Sequence, residues 1–287
     1  MKKKYQSFAF AKLNLTLRVL SKLKSGNHKI QTVITFCTLK DKIELAEIDL
    51  NYDKIIFTGK FGKGISRTNN TVSKLLKILR EKKFIEKTFF SVVIKKEIPC
   101  GAGLGGGSSN AASVLNILKK KYHLRMPRKI MIDIASRVGY DVPLCIDYNN
   151  KLVNGSNKQF DKIKRDFNLY ILIVYPNLIN STEKVYKSNR LFSQKNLKLK
   201  KDLLKNDFIK TLINEKNDLQ SVVAKKSQRV KSLINILSIQ KDCLFSRMSG
   251  SGSACFGVFK NLNSANRTKR LLKNYYPSYW SVVSKTM

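Results

Sequence analysis

Between Ile98 and Leu118 the chain runs IPCGAGLGGGSSNAASVLNIL. Five of these residues, Gly101, Gly103, Gly105, Gly106 and Gly107, are glycine. Ser108, Ser109 and Asn110 follow, and then an apolar pattern at helical spacing begins. Glycine lets a backbone take positive φ and approach a ligand with no Cβ in the way. A helix N-terminus adds unpaired N–H groups and the positive end of a macrodipole. A glycine loop feeding a helix is therefore an anion cradle, and a nucleotide polyphosphate is the biological anion that fits it.

The flanks support this reading over that of a free linker. Upstream, Phe89-Phe90-Ser91-Val92-Val93-Ile94 is aromatic and β-branched and predicts a strand, ended by Pro99, which cannot donate to a ladder. Downstream, Ala111, Val114, Leu115 and Leu118 fall on one helical face, with Ser108, Ser109 or Asn110 as the expected N-cap. Gly101 to Gly106 formally satisfies G-x-G-x-x-G, but that fingerprint asks for a second strand and an acid farther on. Here Lys119-Lys120-Lys121 and more helix follow. A Walker A loop needs a lysine before its hydroxyl residue, and Gly107 is followed directly by Ser108.

The 287 residues are 43% hydrophobic, enough for one large or two medium globular domains. No apolar run is long enough to span a bilayer, and the basic start Met1-Lys2-Lys3-Lys4 leads into no signal-peptide core. Five scattered cysteines, Cys37, Cys100, Cys145, Cys243 and Cys255, form no CxxC pair, so neither a disulfide framework nor a zinc site is expected. A reduced, cytoplasmic protein with no membrane partner is the expectation. The formal charge of +37 would ordinarily point to nucleic acid. The lysines are spread along the whole chain, however, and Lys, Asn and Ile are abundant together, as an AT-rich coding genome produces. No specific nucleic-acid partner is expected, while part of the charge could steer an anionic substrate.

Residues 7–20 read as a strand pair or hairpin edge. Residues 30–48 hold two extended segments, Thr32–Phe36 and Lys42–Leu45, and a helix is predicted from Asn70 through Arg80. Another helix, from about Pro127, ends at Gly139 as C-cap. Turn signals at Asn149-Asn150 and Asn154-Gly155-Ser156-Asn157 divide the chain into domains 1–155 and 156–287. Beyond them come a buried strand, Tyr170 to Tyr175, and a lysine-rich helical region to about 238. Two strands around a second small-residue loop and a helix near 264–274 complete the chain, an α+β pattern.

Three further positions carry chemistry. Met248 to Ala254 alternates Gly and Ser, which suits a structural turn or a lining for phosphate or sugar. Asp141, in Val138 to Pro143, reads alone as a cap or a solvated charge. Lys12 sits inside the otherwise apolar strand around Ala11 to Leu15, where an ammonium needs an acid or an anion to offset desolvation.

In this order the segments resemble the GHMP kinases, and among them the branch whose acceptor is 4-(cytidine 5'-diphospho)-2-C-methyl-D-erythritol. Ala11-Lys12-Leu13-Asn14-Leu15 resembles the opening motif P-A-K-[IL]-N-L, with Phe10 where proline is usual. Ile98 to Ala112 matches the second motif nearly letter for letter. Val138 to Pro143 resembles L-G-x-D-[VI]-P, and Ser249 to Ser253 matches the third motif, so the likeness spans residues 9–259. It implies an α+β fold of the GHMP kinase type. An N-terminal β/α domain like domain 2 of ribosomal protein S5 would be followed by a ferredoxin-like α+β domain.

The resemblance also implies ATP as donor, Mg²⁺ as cofactor and phosphorylation of the erythritol 2-hydroxyl in the non-mevalonate isoprenoid pathway. Lys12 and Asp141 take the catalytic positions, with Asp141 accepting the hydroxyl proton. ATP binding falls to Asn70, Lys96, Pro99, Cys100, Gly101, Ala102, Gly103, Leu104, Gly105, Gly106, Gly107, Ser108 and Ser109, with Ser108 the candidate Mg²⁺ ligand. Substrate binding falls to Asn14, His28, Tyr186, Gly250 and Ser251. The branch places a Tyr-His pair against the cytosine, and here the pair is Asn27-His28, so one stacking face is missing. A monomer or homodimer is implied. A homoserine- or mevalonate-type kinase is the nearest alternative, separated by Gly26-Asn27-His28 and Tyr186, which only a base-binding kinase requires. A nucleic-acid-binding protein on an S5-like fold would explain the charge but leaves the glycine loop, Lys12 and Asp141 without purpose.

Overall fold

A computed structural model describes residues 3–23, 26–155, 160–163, 167–194 and 205–287. The first two residues of the basic start, the expected turn at Ser156-Asn157 and positions 195–204 of the expected lysine-rich region lie outside these. The first half contains β1 (Lys4–Asn14), β2 (Arg18–Lys22), β3 (His28–Ile48), β4 (Lys54–Thr58), α1 (Thr71–Glu81), β5 (Phe89–Lys95), α2 (Gly106–Lys121), α3 (Arg128–Val138) and a 3-10 turn at Pro143–Cys145. The second contains β6 (Asn150–Gly155), β7 (Phe160–Ile163), β8 (Tyr170–Tyr175), α4 (Thr182–Ser188), α5 (Lys205–Ile213), α6 (Asp218–Lys226), α7 (Gln228–Ser238), β9 (Cys243–Met248), β10 (Cys255–Phe259), α8 (Leu262–Tyr275) and β11 (Trp280–Lys285).

Two compact units result, interleaved in sequence. One comprises Met1–Lys12, Leu39–Cys100 and Gly105–Tyr148; the other comprises Leu13–Thr38, Gly101–Leu104 and Asn149–Met287. The two extended segments expected in 30–48 are one 21-residue strand, β3, divided between the units. Nor do β1 and β2 form a hairpin, since each pairs with β3.

In the first unit, β5 runs antiparallel to the later part of β3, from Lys42 opposite Lys95 to Ile48 opposite Phe89, and β4 lies parallel on its other side. Helices α1, α2 and α3 pack on one another. Val72, Leu75, Leu76 and Leu79 of α1 and Ala111, Val114, Leu115 and Leu118 of α2 are buried, as their spacing predicts. Asn70 starts α1 by accepting N–H bonds from Val72 and Ser73, and the Ser73 hydroxyl accepts the N–H of Asn70.

In the second unit, β2 and β6 both run antiparallel to the early part of β3, and β7 pairs with β6. Asn150 opens β6 and does not make the expected turn; it is buried and accepts the Thr35 hydroxyl at 2.6 Å. A separate antiparallel sheet has the order β11-β8-β10-β9, with α7 and α8 packed on it. The central strand β8 is apolar throughout because both faces are covered: Ile171, Leu172, Ile173 and Val174 are almost wholly buried, each contributing about 1.5–3 kcal/mol. Leu172 and Val174 join Leu219, Val223, Leu233, Leu237 and Leu272 in one core. Among the described residues no helix is long and apolar enough to cross a membrane.

Candidate active site

The glycine loop leaves β5 at Lys95, four residues before Pro99, so proline is not what ends the strand. Asp41 of β3 ends it, its carboxylate accepting the N–H groups of Glu97 at 2.8 Å and Ile98 at 2.9 Å. Gly101, Gly103 and Gly105 then take φ of +64°, +79° and +65°, which glycine adopts without strain. Gly105 is itself the N-cap of α2, and no side chain caps that helix. The expected cap from Ser108, Ser109 or Asn110 is therefore wrong. Gly106 already starts the helix, Ser109 is fully buried, and the Asn110 amide donates to Asp41 at 2.8 Å. What remains is a first helical turn opened by glycines, the arrangement an anion needs.

Two residues expected at the nucleotide have partners within the protein. Lys96 is 1% exposed, and its ammonium pairs with Asp41 and donates to Asn110 Oδ1 at 3.0 Å. Burial forces such a charge onto a partner, and Asp41 is that partner. Asn70 caps α1 with its oxygen and donates from its amide to the carbonyls of Ser66 and Arg67. Its neighbour Thr71 does reach the glycine helix, donating to the Gly107 carbonyl at 2.7 Å. Pro99, Ala102 and Leu104 are buried, Cys100 is exposed, and Ser108 is half-buried.

The same unit brings Lys12 and Asp141 together. Lys12 is 4% exposed, and its Nζ lies 3.1 Å from Asp141 Oδ2, answering the desolvation that a charge inside an apolar strand implies. A Cβ on Gly105 would stand 3.1 Å from both Cβ and Cε of Lys12, so the lysine stem lies against the cap of α2. Asp141 follows α3, whose C-cap Gly139 is extended, with φ −175°, instead of left-handed. It accepts the N–H of Leu144 on its carbonyl as the 3-10 turn starts, while a third of its side chain reaches solvent. A buried ammonium, a solvent-facing carboxylate and a helix start without a side-chain cap thus meet within one unit. That set can bind phosphate, take a proton and stabilise negative charge.

In the other unit, the Gly101–Leu104 segment is laced to the second small-residue loop. Ser249 Oγ donates to the Gly103 carbonyl at 3.0 Å, and Ala254 N–H donates to Ala102 at 3.0 Å. Asn14 donates its N–H to Ser249 Oγ at 3.2 Å and its amide to Thr32 Oγ1 at 2.9 Å, so it braces the loop. Ser251 Oγ shares a hydrogen with Thr182 at 2.8 Å, and Gly250, with φ +57°, is buried. Asn217, which the sequence reading missed, donates to the carbonyls of Met248 and Gly250 at 2.7 and 2.8 Å. Lone asparagines carry no sequence signal of this kind.

His28 and Tyr186, distant in sequence, come together with ring centroids 5.2 Å apart and planes tilted by 35°. Burial, and then the charge of Lys22, holds the His28 pKa below the ordinary histidine value. At pH 7 its ring is accordingly neutral, with one donor and one acceptor nitrogen.

Residues 70–147 match the GHMP kinases N terminal domain, and residues 198–278 match the GHMP kinases C terminal domain. A 4-diphosphocytidyl-2-C-methyl-D-erythritol kinase from Pelagibacter ubique is 36% identical over 279 residues, covering 97% of this chain and 98% of its own. One from Caldanaerobacter subterraneus subsp. tengcongensis is 33% identical, with coverage of 97% and 96%. The crystal structure of a 4-(cytidine 5'-diphospho)-2C-methyl-D-erythritol kinase has the same fold, with a TM-score of 0.78 at 23% identity over 98% of this chain and 99% of that one. The chain belongs to the 4-diphosphocytidyl-2-C-methyl-D-erythritol kinase family of the GHMP kinases.

Proposed function

We propose that this ATP-dependent small-molecule kinase transfers the γ-phosphoryl group of ATP to the 2-hydroxyl of 4-(cytidine 5'-diphospho)-2-C-methyl-D-erythritol, giving the 2-phosphate and ADP. The Lys12–Asp141 pair against the cap of α2 carries the reading. The glycine turn receives the polyphosphate. Asp141 takes the proton of the acceptor hydroxyl as its oxygen bonds to the γ-phosphorus, and the bond from that phosphorus to the bridging oxygen of ADP breaks. Lys12 faces the developing negative charge. Among the described residues no three acids, histidines or cysteines gather into a metal cage, and Mg²⁺ does not require one, being held by one or two protein ligands and substrate phosphates. The half-buried Ser108 hydroxyl, in the first turn of α2, is the candidate that would hold Mg²⁺. Bound there, the ion would neutralise charge on the phosphates.

His28 and Tyr186 support the cytidyl acceptor over homoserine or mevalonate, because a ring face and a neutral imidazole suit a base and serve neither small acid. His28→Ala is expected to raise KM for the cytidyl acceptor about tenfold, the loss of one to two hydrogen bonds, with KM for ATP unchanged. Since the His28 pKa is lowered, the acceptor KM should be flat above neutrality and rise only as pH falls through that depressed value. Steady-state kinetics from about pH 5, below the ordinary histidine value of about 6.5, to above neutrality checks both, and equal effects on both substrates would remove His28 from the base site. Asn27→Tyr restores a stacking face and should lower the acceptor KM, with about 1–3 kcal/mol available per stacked base. The direct test of the reading is ADP release from purified protein with the cytidyl acceptor, homoserine or mevalonate. Turnover with the first alone is expected, and turnover with either of the others alone would overturn it. Salt-sensitive RNA binding without ATP turnover would favour the nucleic-acid alternative.

A further inference from the structure

The glycine loop is held at both ends by one buried carboxylate. Asp41 is fully buried and accepts the N–H groups of Glu97 and Ile98, where the chain leaves β5 for the loop. The same carboxylate accepts the Asn110 amide at 2.8 Å, one turn inside α2, where the loop ends. Lys96 closes the triad, pairing with Asp41 and donating to Asn110 Oδ1 at 3.0 Å. Its ammonium also lies 3.1 Å from where a Cβ on Gly106 would stand, directly behind the first helical residue. Strand end, ammonium and helix start thus converge on a single side chain of β3. Surface charges are screened and geometrically loose, whereas a buried pair with every lone pair engaged fixes one arrangement.

We infer that Asp41 is a positioning residue for the donor nucleotide: with Lys96 and Asn110 it sets the distance and orientation between the strand end and the N–H groups of α2 that receive the phosphates. The inference rests on the reading of this loop as the ATP site. The triad spends its polar groups on one another and on the N–H groups of Glu97 and Ile98. It acts through the loop, and small displacements of a binding turn are costly because near-attack geometry tolerates about 1 Å at most.

Asn110→Leu tests this, since it keeps the branched shape of the side chain, favours the helix, leaves the Asp41–Lys96 pair in place and cuts only the tie to the helix. ATP affinity, measured by titration calorimetry on the full chain, is expected to weaken about tenfold or more, with the acceptor KM within about twofold of wild type. A residue serving stability alone would lower the melting temperature and leave ATP affinity where it was, and that outcome overturns the inference. Should Asn110→Leu not fold, Asn110→Ala removes the same tie with a strong helix former and is read in the same way. The wild type is the control for the underlying reading: failure to bind ATP there refutes the loop assignment, whereas normal ATP binding by wild type and variant alike refutes only the role of the triad.

Discussion

Asp141→Asn is expected to lower kcat by about 10²–10⁴, the range in which general-base catalysis contributes, while ATP affinity stays near that of the wild type. The carboxamide keeps the shape of the side chain and can still accept a hydrogen bond, so neither the 3-10 turn nor the glycine helix is asked to move. It cannot take the proton of the acceptor hydroxyl. Lys12, 4% exposed, would then face an uncharged oxygen 3.1 Å away instead of a carboxylate. A third of Asp141 reaches solvent, which screens the pair and limits the stability loss to a fraction of what breaking a fully buried pair costs. Single-turnover kinetics and nucleotide titration on the same preparation separate the two effects. A variant with wild-type kcat would remove Asp141 as the proton acceptor. One that had lost ATP binding in equal measure would place it at the donor instead.

Much of the first unit is legible along the chain because its signals are local. Phe89 to Ile94 forms β5, and Val72, Leu75, Leu76 and Leu79 form the buried face of α1. The errors arise where a partner far away in sequence decides the outcome. Lys40 and Asp41 interrupt the apolar run of residues 30–48, and read alone they break it into two strands. In the fold Asp41 is buried with partners 55 to 69 residues away, so the backbone stays extended through it. The same carboxylate, and not Pro99, ends β5. Gly105 as N-cap was invisible for a different reason: a left-handed cap is a backbone dihedral, while Ser, Asn and Asp advertise themselves by side chain.

The site shows the same division. Lys12 stood out because a lysine within an apolar strand demands a partner, and Asp141 supplies it. Asp141 alone reads as one loop acid among several, and only the resemblance to a family motif singles it out. Lys96 lies beside the loop in sequence, and the fold pairs its ammonium with Asp41. Sequence places a side chain on a strand, but only packing decides whether it points to ligand or to core. Asn217 and Asn110 brace the two loops through backbone carbonyls and a buried acid, contacts with no residue-type signature.

Gly103→Ala is the second substitution with a large expected effect, and it measures how tightly the loop is built. Gly103 sits at φ +79°, and a Cβ there would stand 2.2 Å from the Ser249 carbonyl oxygen and 3.1 Å from Gly252 N. Both are backbone atoms, which cannot swing aside as a flexible side chain does. The strained dihedral alone costs about 1–3 kcal/mol. The clash adds to it by pushing Gly103 away from the Ser249 hydroxyl that its carbonyl accepts, and with it the neighbouring Ala254 to Ala102 bond. Gly64→Ala is the matched control, since Gly64 has φ +82° with nothing within 4 Å of its Cβ position. Both variants carry the dihedral strain, and only Gly103→Ala carries the collision. Thermal unfolding should therefore show Gly103→Ala less stable than Gly64→Ala, and kcat/KM for ATP should fall about 10²-fold in the former alone, as misplacement of a binding loop by about 1 Å predicts. If the two variants matched in both measurements, the lacing of residues 101–104 to the Ser249 loop would contribute nothing to nucleotide binding, and the glycine would be needed for its dihedral alone.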